Sequence, residues 1–216
     1  MSSLKLVTDR TEADRIYLEK LNAKGWAAMT EEERFYWRSG TAEVLELLDG
    51  TLETSDGYVI GAGNGVTRGA YNEQDMNRVE GAVQTVAVQA VELLKEISAY
   101  LVKRGVATDA VFALPYTVED TVVEPPQTWT KYQLPFAEEL TAYLDKVRRI
   151  KGILSSDAPE VPPDMVDLQI AEANNIEKVL LAVENALLSL RDEAKDRIDR
   201  TTQCWLYSDE FFAGEV

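Results

Sequence analysis

One stretch of the sequence repeats apolar residues at heptad spacing without interruption, and it limits the possible folds more than any other feature. The apolar positions recur at steps of 3, 4, 3, 4, 3, 4 and 3 residues. Asn72 precedes them as a candidate N-cap, with Glu73 and Asp75 in the first turn, and Gly105 follows as a stop. The pattern predicts a helix of about 32 residues, roughly 48 Å long, which must pack along a partner of similar length in the same chain or in another copy. This first seam, which we expect to mediate self-association, comprises Met76, Val79, Val83, Val86, Ala90, Leu93, Ile97 and Tyr100.

A second heptad seam lies in the last quarter of the chain and predicts a helix from about Val166 to Thr202. Both helix starts carry the pattern Asn-x-(Val/Ile)-Glu, at residues 77–80 and at residues 174–177. Two matches of four residues are weak evidence for a duplication, but they indicate two similar long helices that could pack side by side. The second seam comprises Ile176, Leu180, Val183, Leu187 and Leu190.

These seams predict a mainly α fold: an elongated helical bundle or coiled coil with two long helices, a small β-hairpin insertion and an extended arm. Asp56-Gly57 supplies the positive φ of a hairpin turn, and an aromatic cluster at residues 35–37 is typical of a small core. The predicted units are an N-terminal short-helix region at 1–40, the insertion at 41–69, a long helix at 70–105, the arm at 106–133, a C-terminal helical region at 134–203 and an aromatic tail at 204–216.

The N-terminal region predicts two short helices. Thr8-Asp9 offers N-cap chemistry for the first, and Gly25 is its expected stop. Thr30 and Glu33 form the capping box of the second.

The arm and the tail are the segments for which packing against a partner is an open question. Pro125-Pro126 breaks any helix in the arm, and Trp129 stands among polar neighbours. The arm either crosses a neighbouring subunit or wraps over its own bundle, and the sequence does not choose between the two. A fraying aromatic terminus would expose much apolar surface, so the tail either packs against the bundle or docks to a partner, and we favour docking. The residues of this docking tail are Trp205, Tyr207, Phe211 and Phe212.

Composition removes most enzymatic chemistry. The 216 residues include no histidine and one cysteine, so catalytic triads, Cys-His dyads, zinc sites built on either residue and intrachain disulfides are excluded. We expect no cofactor and no metal.

With 38 acidic and 22 basic residues the net charge is −16, which disfavours nucleic acid and anionic membranes as partners. No apolar run has the length of a membrane-spanning helix or a signal peptide, so we expect no membrane insertion. One basic cluster, expected to face solvent or nearby carboxylates, comprises Lys146, Arg148, Arg149 and Lys151.

Carboxylate chemistry is the one enzymatic alternative that composition leaves open. A glycan-cleaving, muramidase-like enzyme needs two carboxylates across a cleft. Glu119-Asp120 is the best candidate pair, with Trp129 to stack a sugar.

Short motifs at both ends of the chain and at both predicted long helices carry a resemblance to a known group of proteins. They are Val7-Thr8-Asp9-Arg10-Thr11 with Ala13-Asp14, Lys24-Gly25-Trp26, Met29-Thr30-Glu31-Glu32-Glu33, Trp37, Gly69-Ala70-Tyr71-Asn72, Asp75-x-Asn77-Arg78-Val79-Glu80, Trp129-Thr130, Pro135, Tyr143-Leu144, Val147, Asn174-Asn175-Ile176-Glu177 and Trp205-x-Tyr207-Ser208-x-Glu210-x-x-x-Gly214-Glu215. Together they resemble structural proteins from the tail gene clusters of phages and prophages of Gram-positive bacteria. Relative to that group, residues 41–68 look like an insertion.

The resemblance implies a non-enzymatic tail or baseplate component of the virion, assembled in multiple copies in the bacterial host cytoplasm. The implied partners are other copies of the chain and other tail or baseplate proteins. A helical adaptor unrelated to phages is the remaining alternative, since it predicts the same fold and the same lack of chemistry.

Overall fold

A computed structural model describes residues 4–31, 33–34, 52–53, 59–60, 71–105, 114–130, 134–154 and 158–212. For residues 52–53, 59–60 and 203–212 the description covers the backbone. The described chain is mainly helical. Its helices are α1 (Glu12–Lys24), α2 (Glu73–Lys103), α3 (Ala137–Ile153) and α4 (Ile170–Phe212), with 3-10 turns η1 (Trp26–Ala28) and η2 (Glu119–Thr121).

Two short strands lie between α1 and α2. β1 (Leu52–Glu53) pairs antiparallel with β2 (Val59–Ile60), with Leu52 opposite Ile60. The predicted Asp56-Gly57 turn lies outside the described residues, so the hairpin stays a prediction. The aromatic cluster at 35–37 also lies outside them.

Side-chain caps fix where the helices begin. Asn72 accepts hydrogen bonds from the amides of Gln74 at 2.9 Å and Asp75 at 3.4 Å, and the Asp75 carboxylate accepts from the Asn72 amide at 3.0 Å. This confirms the predicted start of α2, which is 31 residues long. For α1 the predicted cap was wrong: Thr11, not Thr8-Asp9, forms the capping box, with Asp14. Residues 4–10 therefore lie before α1, and their backbone need not follow the helix axis.

α2 and α4 run parallel, and their contact is the most extensive between any two described elements. Polar pairs mark the direction, because Arg78 meets Glu177, Glu96 meets Lys195 and Tyr100 meets Asp199, each 99 residues apart in the sequence. The two seams follow the same course: each residue of the second seam lies 97 positions after a residue of the first, in the pairs Val79/Ile176, Val83/Leu180, Val86/Val183, Ala90/Leu187 and Leu93/Leu190.

The first seam forms the core of a single chain. Its residues from Met76 to Ile97 are buried and Tyr100 is partly buried, and they share one apolar cluster with α3 and α4. The second seam is buried in the same cluster, except for the partly buried Leu190. This corrects the expectation that the first seam is a surface for a second copy. Pairing two copies through it would require opening a core that α3 and α4 of the same chain already cover, among them Tyr143, Leu144, Val147, Ile176, Leu180 and Val183.

The last helix differs from the sequence prediction at both ends. It begins at Ile170 rather than Val166, because Asp167 has a left-handed φ of 53° and the Glu172 carboxylate accepts from the Gln169 amide at 2.8 Å. Its backbone stays helical to Phe212, beyond the predicted end at residue 202. The side chains of the predicted docking tail lie outside the description.

Candidate functional site

In the described part of the chain, polar side chains cluster where two irregular segments cross the first turns of α2 and α4. The first segment, which we call the strap, is residues 4–10. Its Val7 amide donates to Glu177 Oε2 at 2.6 Å. Its Arg10 amide donates to Asn174 Oδ1 at 3.0 Å, and Asn174 Nδ2 donates back to the Arg10 carbonyl at 2.9 Å. Two side chains of α4 therefore hold the strap by its backbone.

Arg10 turns its guanidinium into a buried cluster of four charges. It donates to Asp75 Oδ1 at 2.7 Å, to Glu177 Oε1 at 2.6 Å and to the Val7 carbonyl at 2.6 Å. Arg78 donates to Glu177 at 2.7 and 3.1 Å and also to Asp75. Two positive and two negative side chains thus cancel, which is the condition under which buried charge is tolerated.

Burial and charge pairing act in opposite directions on the two arginines. Burial alone lowers the pKa of Arg10, but the carboxylates of Asp75 and Glu177 outweigh it, and the pKa of Arg10 ends above its usual value. The pKa of Arg78 is raised against the same desolvation by the same carboxylates, with Glu177 contributing more. Both arginines therefore stay protonated. They can hold the two carboxylates in place but cannot act as proton-transfer groups.

A pair of tyrosines, the partly buried Tyr71 and the buried Tyr143, connects the strap to the arm. The Tyr71 ring lies under the Arg10 guanidinium, 5.3 Å from its centroid, and the hydroxyls of Tyr71 and Tyr143 are 2.5 Å apart. Burial raises the pKa of both tyrosines, and the neighbouring charge of Glu177 adds to the rise. Tyr143 then meets Trp129 edge to face at 6.1 Å.

The arm is held to α2 in the way the strap is held to α4. Trp129 donates its amide to Asn77 Oδ1 at 2.8 Å, and Asn77 Nδ2 donates to the Trp129 carbonyl at 2.9 Å. Lys146 Nζ donates to both oxygens of the buried Glu80, at 3.0 and 2.9 Å, and to the Pro125 carbonyl at 3.0 Å. In both places a cation meets the glutamate and a carbonyl of the held segment: Lys146 of α3 does so at the arm, and Arg10 of the strap itself does so at the strap.

We call these two arrangements the clasps: Asn174 with Glu177, and Asn77 with Glu80. Each glutamate follows its asparagine by three residues, so both side chains lie on one face of the helix. The repeated Asn-x-(Val/Ile)-Glu pattern is therefore a repeated structure. Each clasp also holds the segment that precedes the other long helix: the strap precedes α2 yet docks on α4, and the arm precedes α4 yet docks on α2.

Trp129 lies inside the bundle, only 4% exposed, so the arm wraps over its own chain at that point. The buried ring cannot stack against a sugar from solvent. Of the candidate catalytic pair, Asp120 accepts from the Thr117 amide at 2.7 Å and from its hydroxyl at 2.8 Å, and these bonds lower the pKa of Asp120. Glu119 and Asp120 are exposed in η2, and the ring predicted to complete a glycan site is not available to them.

The basic cluster of α3 is paired within the chain. Besides Lys146, Arg148 donates to the carbonyls of Pro162 and Pro163 at 2.6 and 2.9 Å. Arg149 donates to the carbonyl of Glu119 at 3.0 Å, and Lys151 meets Glu160 at 2.8 Å. These residues fasten irregular segments onto α3.

Sequence reasoning found Asn77, Glu80, Asn174 and Glu177 as a pattern but did not give them a task. It missed Arg10 as their partner, because the contact joins residues 167 positions apart. In the part of the chain that the structure describes, no group of three or more potential ligand side chains could hold a metal ion, and no helix is long and apolar enough to cross a membrane. Comparison with protein-family models, with curated proteins and with solved structures finds no match to this chain.

Proposed function

We propose that this chain is a non-enzymatic structural component of a phage tail or baseplate, present in multiple copies. The observation that carries the proposal is where the resembling motifs meet. Val7 and Arg10, the Asp75–Glu80 motif, Trp129, Tyr143 and the Asn174–Glu177 motif are scattered along the chain, yet they converge on the two clasps and the tyrosine pair between them.

That convergence indicates that the shared motifs maintain the fold rather than form a catalytic site. Every charged group of the clasps is committed to a partner: Glu177 accepts four hydrogen bonds, and Glu80 accepts two from Lys146. A general acid or base needs access to substrate. The clasp glutamates are buried and paired, so their arrangement suits holding a shape, which is what a tail component must do.

The finer features of the proposal concern the two long helices, the paired strands and the end of α4. We infer that α2 and α4 pack as a parallel two-stranded coiled coil, because corresponding heptad positions face each other along their shared length. We infer that the paired strands at residues 52–53 and 59–60 form the base of a hairpin insertion. The aromatic residues of α4 beyond Thr202 are the part we expect to dock a neighbouring copy or another tail protein, in the virion.

The direct test is protein composition of particles. Virions are purified from the phage or induced prophage whose genome carries the gene, and peptides of this chain are quantified by mass spectrometry relative to the major tail-tube protein. We expect the chain at a fixed ratio in tailed particles and its absence from tailless heads. Absence from intact, infectious particles would refute the proposal and leave the non-phage adaptor.

A truncation tests the docking role of the tail. Deleting residues 205–216 leaves the described core residues in place, so the truncated chain should fold with unchanged helical signal per residue and fail to enter particles. Alanine at the exposed, distant Glu12 is the matched control and should incorporate normally. A truncated chain that assembles at the wild-type level rejects the docking role.

A further inference from the structure

We propose that the clasp on α4 is a peptide-binding socket that can take the strap of a second copy of this chain in place of its own. This rests on the proposed function, because it says how neighbouring copies in an assembly would hold each other. The occupant is therefore named: residues 4–10 of another copy.

The contacts of the socket select both the backbone spacing of the bound segment and the side chain at one of its positions. Glu177 takes one amide of the strap, at Val7, and Asn174 takes the amide and the carbonyl three residues later, at Arg10. Arg10 Nη2 donates to both Asp75 and Glu177 while Nη1 donates to the Val7 carbonyl, so the acceptors match two nitrogens of one guanidinium. A segment with the same spacing of backbone and arginine satisfies every one of these contacts, whichever copy supplies it.

Within the chain, the strap docks on α4 and the arm docks on α2, so each long helix holds an irregular segment through a similar set of side-chain contacts. Exchange of equivalent elements between identical units is a low-cost route to assembly, because the swapped and unswapped forms make the same contacts.

The element next to the strap is suited to move with it. α1 makes its principal contact with η1, and its buried side chains Tyr17 and Leu21 lie outside the main apolar cluster. Among the described residues, the strap therefore attaches the N-terminal region to α4 and α2.

Effective concentration decides which copy supplies the strap. Tethered sites meet at millimolar effective concentration, so the chain's own strap wins in dilute solution. Copies fixed side by side in an assembly reach similar local concentrations, and exchange then competes. In solution the exchanged form should appear at about 1 mM chain and vanish on dilution.

Lysine cross-linking of the unmodified chain gives the test. Lys5 lies two residues before Val7, and Lys178 follows Glu177, so a succinimidyl ester should join these exposed lysines when the strap is docked. Lys95 and Lys195 report on the α2–α4 pair, because Glu96 meets Lys195 directly. Equal amounts of ¹⁴N and ¹⁵N chains are unfolded together, refolded at about 1 mM, cross-linked and digested.

We expect on the order of a tenth or more of the Lys5–Lys178 cross-links to join a ¹⁴N to a ¹⁵N peptide at about 1 mM, and roughly a hundredth at one-hundredth of that concentration. The Lys95–Lys195 cross-links should stay within one isotope at both concentrations. An Asn174→Ala variant should lose Lys5–Lys178 cross-links of both classes, while Asn175→Ala keeps them.

Three results overturn the inference. The Lys5–Lys178 cross-link is absent, so the strap does not dock on α4. It is present but never of mixed isotope, so docking is confined to one chain. Mixed isotopes appear equally at Lys95–Lys195, so whole chains associate without strap exchange. Each result is independent of whether the chain is found in particles.

Discussion

Replacing Glu177 by glutamine tests the charge cluster with the smallest change of shape. The carboxylate accepts from Val7, Arg10 and twice from Arg78, all within 3.1 Å. Glutamine keeps one acceptor oxygen but puts an NH₂ group where donors already point. It also leaves two arginines with Asp75 as their single remaining carboxylate partner in the cluster.

The magnitude follows from that geometry. Breaking a buried charge pair by removing one partner costs about 3–5 kcal/mol. For a chain of this size each kcal/mol lowers the melting temperature by roughly 2–4 °C, so Glu177→Gln should melt about 6–20 °C below wild type. The matched control is Glu96→Gln, the same substitution at a half-exposed bridge between α2 and α4, which should cost less than about 1 kcal/mol.

Urea unfolding followed by circular dichroism at pH 7 measures both variants against wild type. Similar slopes with a lower midpoint for Glu177→Gln would show a loss of stability rather than a change of unfolded state. The reasoning is refuted if Glu177→Gln and Glu96→Gln unfold at the same urea concentration. That result would mean that pairing among the four charges of the cluster does not stabilise the fold.

Three further changes probe other parts of the fold. Asn77→Ala should lower the free energy of unfolding by about 1–3 kcal/mol, because it leaves a buried amide and a buried carbonyl unpaired, and Asn174→Ala should cost a similar amount; a tenfold smaller loss for either in urea unfolding contradicts the equivalence of the clasps. Glu33 accepts from Lys24, which lowers the pKa of its carboxyl, so its stabilising effect is present above the unfolded pKa of about 4.3 and disappears as the pH falls through the lower folded value. NMR of the Thr30 amide should show that loss below pH 4, and a signal that stays unchanged down to pH 2 contradicts it. Ala90→Glu places a carboxylate at a fully buried position and should unfold the chain rather than separate subunits, as size-exclusion chromatography with light scattering would show; a folded variant of unchanged helicity overturns the core assignment.

The sequence predicts what depends on local periodicity. Heptad spacing identified the α2 seam and its buried residues, and short-range capping placed Asn72 at the start of α2. The confirmed capping box of Thr30 with Glu33 is another case, since its bonds of 2.6 and 3.2 Å join residues three positions apart.

The sequence fails where a contact joins distant segments. A seam of Val and Ala reads the same whether its partner is α4 or a second copy, and only tertiary structure distinguishes them. Arg10 looks like an ordinary exposed arginine, because the carboxylates that bury it lie 65 and 167 residues away. Trp129 looks exposed for the same reason: its neighbours in sequence are polar, but its neighbours in space are Asn77 and Tyr143.

Hydrogen exchange at three amides tests most directly that the clasps hold the strap and the arm. The amides of Val7, Arg10 and Trp129 all donate to side chains of the clasps, although none of these three residues lies in a helix or strand. If the clasps hold, NMR-detected exchange should show these amides protected nearly as strongly as the middle of α2, with the exposed neighbours Lys5 and Thr130 exchanging fast. Exchange of Val7 and Arg10 at the rate of an unfolded chain would contradict the clasped architecture.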